Sequence, residues 1–110
     1  ILNAGEEIKE TLIGTIISIM SKTNLFKPGM ILIGMAYTND GMIKVSFRIT
    51  GNANGINLKE LSSIISEKCD NAIAGGHKEA AGALIKQKDE NTFIKACNEV
   101  ITNLIKEEKI

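Results

Sequence analysis

The apolar positions of this chain change period several times, and each change marks a boundary. Across residues 5–22 (GEEIKETLIGTIISIMSK), Ile8, Leu12, Ile13, Ile16, Ile17 and Met20 recur at helical spacing. Acidic residues lead this stretch and a lysine closes it, as a helix dipole favours. Residues 24–29 carry the only proline, Pro28, and read as a connector. Residues 30–38 (MILIGMAYT) are a short continuous apolar run, the pattern of a strand buried on both faces. Asn39-Asp40-Gly41 is a hairpin turn signal. The next segment, 42–50 (MIKVSFRIT), alternates: Ile43, Val45, Phe47 and Ile49 form one face, Lys44, Ser46, Arg48 and Thr50 the other. A slip of one residue would bury the charges, so the register is well specified. The polar face, with Ser46 and Arg48 side by side, is expected to lie open to solvent.

In the second half, residues 51–56 (GNANGI) read as a flexible loop, and Asn57 caps a helix with Glu60 three positions later. Leu58, Leu61, Ile64 and Ile65 form its apolar stripe, and it ends near Cys69. A glycine–histidine loop follows, then a short strand over 83–88 (ALIKQK). The last helix opens near Asp89 or Asn91. It turns Phe93, Ile94, Cys97, Val100, Ile101, Leu104 and Ile105 inward and ends in a solvated run at 106–109. The pattern predicts one small α/β domain over residues 1–110, a mixed β-sheet packed with helices, in the order α-β-β-α-loop-β-α.

Composition narrows the function. At 110 residues the chain is long enough for a hydrophobic core without staples. Its formal net charge is zero, against the strongly basic surface of a sequence-blind nucleic-acid binder, although a local cationic site remains compatible. Twelve lysines stand against one arginine, Arg48, so a planar bidentate donor is placed once only. Cys69 and Cys97 sit in apolar helical contexts with no CxxC, and one histidine does not complete a zinc set with them; both read as buried free thiols of a reducing, cytoplasmic protein. No apolar run approaches the ~20 residues of a membrane span. The chain opens on isoleucine, which suggests a piece of a longer protein.

Candidate chemistry concentrates in AIAGGHKEAAGA, residues 72–83. Consecutive amides of a glycine-rich turn can form an anion-binding nest, and His77 adds a donor whose charge depends on pH. Equally, Gly75-Gly76 can simply make a tight turn. Arg48 with Ser46 can bind phosphate, since the guanidinium fork matches its oxygens. The ordinary alternative is a solvated strand face. Aromatic residues are few, and Tyr37 could stack one base. No phosphate loop, HExxH, GxSxG or KH-type GxxG is present. The chain holds no complete catalytic set and no metal site is expected in it.

The strand KVSFR at 44–48 together with GGHKEAAGA at 75–83 resembles the C-terminal, DHH-associated domain of the DHH phosphoesterases. These include RecJ-like single-strand exonucleases, the nearest fit, and oligoribonucleases. The resemblance spans about Met30 to Leu104 and joins an S-x-R strand, a helix, and G-G-H followed by A-A-G. It implies an N-terminal catalytic domain of the same chain that carries Asp-His-His and divalent metal, manganese or magnesium; Asp-His-His is absent here. It implies that Arg48 and His77 contact phosphate oxygens of a single-stranded nucleic acid or short oligonucleotide. Gly75 and Gly76 would then admit backbone approach, with Ser46 in support. Ala74 stands where the family often has a further glycine. Two other readings are a tRNA-binding or dimerisation domain related to that of alanyl-tRNA synthetases, and a non-enzymatic α/β scaffold that pairs as a homodimer.

Overall fold

The computed structural model describes residues 1–23, 25–51 and 55–108, the side chains of 105–108 excepted. The central loop residues 52–54, the inward position of Ile105 and the solvated run 106–109 therefore lie outside the described residues or side chains.

Five strands form one mixed sheet in the order β1-β2-β3-β5-β4. They are β1 (Leu2–Gly5), β2 (Ile31–Tyr37), β3 (Met42–Ile49), β4 (Ile73–Gly76) and β5 (Ala80–Lys86). Helix α1 (Glu10–Ser21) covers one face, while α2 (Leu58–Ser66) and α3 (Glu90–Glu108) cover the other, giving three layers. β1 runs parallel to β2, with α1 as the crossover. All other pairings are antiparallel. Among the described residues no helix is long and apolar enough to cross a membrane.

Two strands of this sheet go beyond the pattern read from the sequence. β1 is four residues, interrupted by Asn3 and ended by Gly5 at φ 53°, too short to show a period. That left-handed glycine also explains why α1 begins at Glu10 and not at residue 5: the chain must turn out of the sheet first. β4 occupies the stretch read as a loop. Its glycines have no side chains to reveal an alternation, and pairing with β5 supplies the order that propensity does not.

The main core lies between the sheet and α2 with α3. Ile43, Val45, Phe47 and Ile49 all point into it, as the alternation requires, and Phe47 meets Phe93 edge to face at 6.2 Å. The second core, under α1, is smaller: Ile13, Ile17, Leu32 and Ala36. β2 feeds both, so its interior is buried on each face. Leu12 and Ile64 instead point outward, 50% and 47% exposed, because each helix buries a narrower stripe than its apolar residues cover.

The polar face of β3 is not the open surface expected. Ser46 and Thr50 are buried, Arg48 is half-buried and only Lys44 is exposed. α1 lies over this face, and Gly14 brings it so close that a Cβ there would stand 3.2 Å from Ser46 Oγ. Thr50 is used structurally: its hydroxyl donates to the Lys27 carbonyl and accepts from the Met30 amide, holding the connector against the sheet. Both cysteines are free; Cys97 is buried and Cys69 half-buried.

Candidate functional site

One row of small residues crosses four strands on the α1 side of the sheet. Register places Gly34 (β2) opposite Ser46 (β3), Ser46 opposite Gly82 (β5), and Gly82 opposite Gly75 (β4). α1 covers the first two. At Gly34 a Cβ would fall 2.3 Å from Ile17 Cγ1, so this glycine is what lets the helix approach. Beyond Gly14 the helix ends its cover, and the floor formed by Gly82 and Gly75 is open. A Cβ on Gly75 would meet no atom within 4 Å. The result is a trough of about 590 Å³ walled by α1 on one side and the β4 edge on the other.

All five residues singled out in the sequence, Ser46, Arg48, Gly75, Gly76 and His77, line this trough. Arg48 lies opposite Ala80 in the β3–β5 ladder, and the His77 amide donates to the Ala80 carbonyl at 2.6 Å. The returning bond, from the Ala80 amide to the His77 carbonyl, is 3.3 Å. Residues 77–80 are thus a tight hairpin turn with Lys78 and Glu79 at the tip. Arg48 and His77, separated by α2 in the chain, arrive at the same end of the trough.

The two adjacent glycines do different things. Gly76 has φ 134°, and a Cβ there would stand 2.5 Å from the Ala80 carbonyl oxygen and 2.6 Å from Ala81 Cα. The turn itself requires it. Gly75 has no such constraint, and the space above its Cα opens into the trough. The turn is further pinned from outside: the Leu58 amide, first in α2 and without a partner inside the helix, donates to the Lys78 carbonyl at 2.8 Å. Asn57 Oδ1 accepts from the Glu60 amide at 3.2 Å, the capping expected at this end.

The electrostatics are cationic and local. Lys44 and Arg48 project from β3 on the trough side, and His77 stands exposed at the rim. Arg48 Nη1 donates to its neighbour's carbonyl, Phe47 O, at 2.9 Å, which steadies the guanidinium and leaves its other donors for a ligand. Ser46 is buried beneath Gly14, so it contributes to the floor and not to an exposed pair with Arg48. Such a surface suits an anion joined to a flat or sugar-like group: charge at one end, bare backbone along the floor. Among the described residues no three His, Cys, Asp or Glu side chains come together.

Lys44, Gly82 and Gly14 also belong to the trough. Lys44 shares the alternating face of Ser46 and Arg48 in the sequence, and Gly82 is the glycine of A-A-G, so both were visible as neighbours of motif residues. Gly14 carried no such signal. Tyr37 is placed elsewhere: it lies at the far end of β2, five positions from the Leu32–Arg48 pair, roughly 17 Å along the strand. There its hydroxyl donates to Glu90 Oε1, and this carboxylate raises the phenol pKa. It does not face the trough.

No curated protein sequence matches the chain. Among solved structures, the C-Ala domain of Aquifex aeolicus alanyl-tRNA synthetase is similar in fold, with TM-score 0.69 over 90% of this chain and 85% of that one, at 13% identity. A family model, the DHHA1 domain, matches residues 3–103 and so takes in all of the sheet but Leu2, with α1, α2 and most of α3. By that match, which includes every residue of the trough, the chain belongs to the DHHA1 domain family.

Proposed function

We propose that this domain grips the phosphate of a single-stranded nucleic acid or short oligonucleotide for a metal-dependent phosphodiesterase of the RecJ-like kind. The observation that carries the reading is the convergence of Arg48, His77 and the open Gly75–Gly82 floor on one trough. The Arg48 fork and the His77 ring supply donors to phosphate oxygens, Lys44 adds charge, and the bare floor lets the attached nucleotide lie against backbone. Gly76 serves by shaping the turn that presents His77.

Under this reading, hydrolysis belongs to an N-terminal catalytic domain bearing Asp-His-His and its divalent metal, manganese or magnesium. The present chain's task is to hold and orient the substrate, work that lowers the barrier by positioning. The parent protein would act in the cytoplasm.

The test is a backbone amide NMR titration with a 5′-phosphorylated short single strand and its unphosphorylated twin. Phosphate-dependent shifts at Arg48, Gly75, Gly76 and His77 are expected. Shifts that are the same for both strands, or that avoid the trough, would refute the grip.

A second reading of this chain, as a module for tRNA binding or dimerisation, is favoured by its fold likeness to the C-Ala domain of an alanyl-tRNA synthetase. Folded tRNA used as the titrant separates the two: tight binding to tRNA with none to the short strand would select it.

A further inference from the structure

Arg48 borders more than the trough. It also lines a second hollow of about 870 Å³, between the last turn of α1 and the end of β3, and Ala80 is shared by both. The two depressions therefore meet at the residue assigned to the phosphate. A phosphate held there has space on either side of it, and the two sides differ in chemistry. The trough offers bare backbone. The second hollow offers an aromatic ring, Phe26, hydroxyls of Ser18, Ser21 and Thr23, the ammonium of Lys22 and the carboxylate of Glu79.

Phe26 is set firmly. It packs against the core formed by Ile13, Ile17, Leu32 and Ala36 and still lines the hollow, so part of the ring is anchored and part available. An anchored ring offers stacking at little entropic cost. Glu79 decides which part of a nucleotide fits. A carboxylate at the rim repels a further phosphate, and it accepts from an exocyclic amino group. The hydroxyls of Ser21 and Thr23 donate to the Ser18 and Met20 carbonyls and keep lone pairs for a ligand's N–H groups.

We propose that this hollow is a nucleobase subsite: it takes the base of a nucleoside joined to the phosphate at Arg48, stacked on Phe26 with its amino-bearing edge toward the hydroxyls and Glu79. The proposal rests on the phosphate-grip reading. It places the base of the 5′-terminal nucleotide in the hollow and lets the rest of the strand run along the trough floor.

The test measures binding of a 5′-phosphorylated deoxyadenosine dinucleotide and of its doubly abasic counterpart to the 110-residue chain and to Phe26→Leu and Arg48→Ala. Leucine keeps apolar bulk on the core and removes the π-face. The dinucleotide is expected to bind about tenfold or more tighter than the abasic ligand, and Phe26→Leu to remove most of that difference while leaving abasic binding unchanged. In the unmodified chain the dinucleotide alone should shift the Phe26 ring resonances, a readout that does not depend on a variant's folding. Equal affinity for both ligands, with abasic binding still lost in Arg48→Ala, would overturn the base subsite and leave the grip standing. Failure of both ligands to bind would overturn both.

Discussion

Gly75 stands opposite Gly82 in the β4–β5 ladder, and no atom of the fold occupies the space a side chain at Gly75 would fill. Its neighbour Gly76 is hemmed in by the backbone of β5. Two glycines adjacent in sequence are thus separable by experiment. Gly75→Ala is expected to leave stability unchanged or raise it by about 0.5–1 kcal/mol, the usual gain from restricting a strand glycine. Gly76→Ala is expected to cost about 2 kcal/mol or more, since it adds a steric collision to an unfavourable φ. Urea unfolding of the two variants checks this; equal midpoints would contradict the turn geometry. Gly75→Val, equally tolerated by the strand, should fill the trough and weaken oligonucleotide binding.

Arg48→Ala is expected to weaken binding of 5′-phosphorylated strands by about 1–3 kcal/mol, the range for a charge-assisted contact. Arg48→Lys should recover only part of the loss, because the ammonium lacks the bidentate fork. His77→Ala should weaken binding as well, with little change in thermal stability because its side chain is exposed. Titration calorimetry of the three variants decides; wild-type affinity in all of them would remove the trough from consideration.

The contact between α1 and β2 is tight enough to test by coupling. Gly34→Ala drives a methyl against Ile17 and Ile13 and should cost about 1–3 kcal/mol. Ile17→Ala alone should cost about 2–5 kcal/mol through the cavity it leaves. Because the new methyl of Gly34→Ala enters the space that Ile17→Ala vacates, the double variant should be less destabilised than the sum. Additive costs in chemical denaturation would mean that the two residues do not share that space.

Burial pushes the Cys97 thiol up to about 12, and burial also raises Cys69, with Asp89 adding to it. The folded chain keeps the Cys97 proton where the unfolded chain has lost it. Stability from this group is therefore complete below the unfolded value, about 8.5, and declines as pH rises toward the folded one. Between pH 7.5 and 9.5 the wild type should lose about 1 kcal/mol more than Cys97→Ala. Urea midpoints at the two pH values measure it, and parallel behaviour would place Cys97 in contact with water.

Much of this was legible in the sequence where side chains carry a period. The strand 42–50 announced its inward face through Ile43, Val45, Phe47 and Ile49, and the hairpin before it through Asn39-Asp40-Gly41. The motif residues Arg48 and His77 could be paired only through the family resemblance, since α2 lies between them. What stayed hidden depends on partners. The burial of Ser46 and Thr50 is decided by α1 and the connector, not by β3 itself. β4 has too few side chains to show a strand, and the role of Phe26 beside Arg48 depends on where the connector returns.

The trough is assembled from β3 on one side of α2 and the β4–β5 hairpin on the other, with the Leu58–Lys78 bond tying the hairpin to the helix. No continuous short segment contains it. It therefore comes into being only when the sheet has closed, late in a folding process in which long loops must be ordered before distant strands pair. A ligand that recognises the trough finds no partner in the unfolded chain, so each tenfold excess over its dissociation constant adds about 1.4 kcal/mol to the stability of the hairpin and helix together. Occupancy and integrity of this domain are in that sense a single equilibrium, and slowed hydrogen exchange at the Leu58 amide would report both.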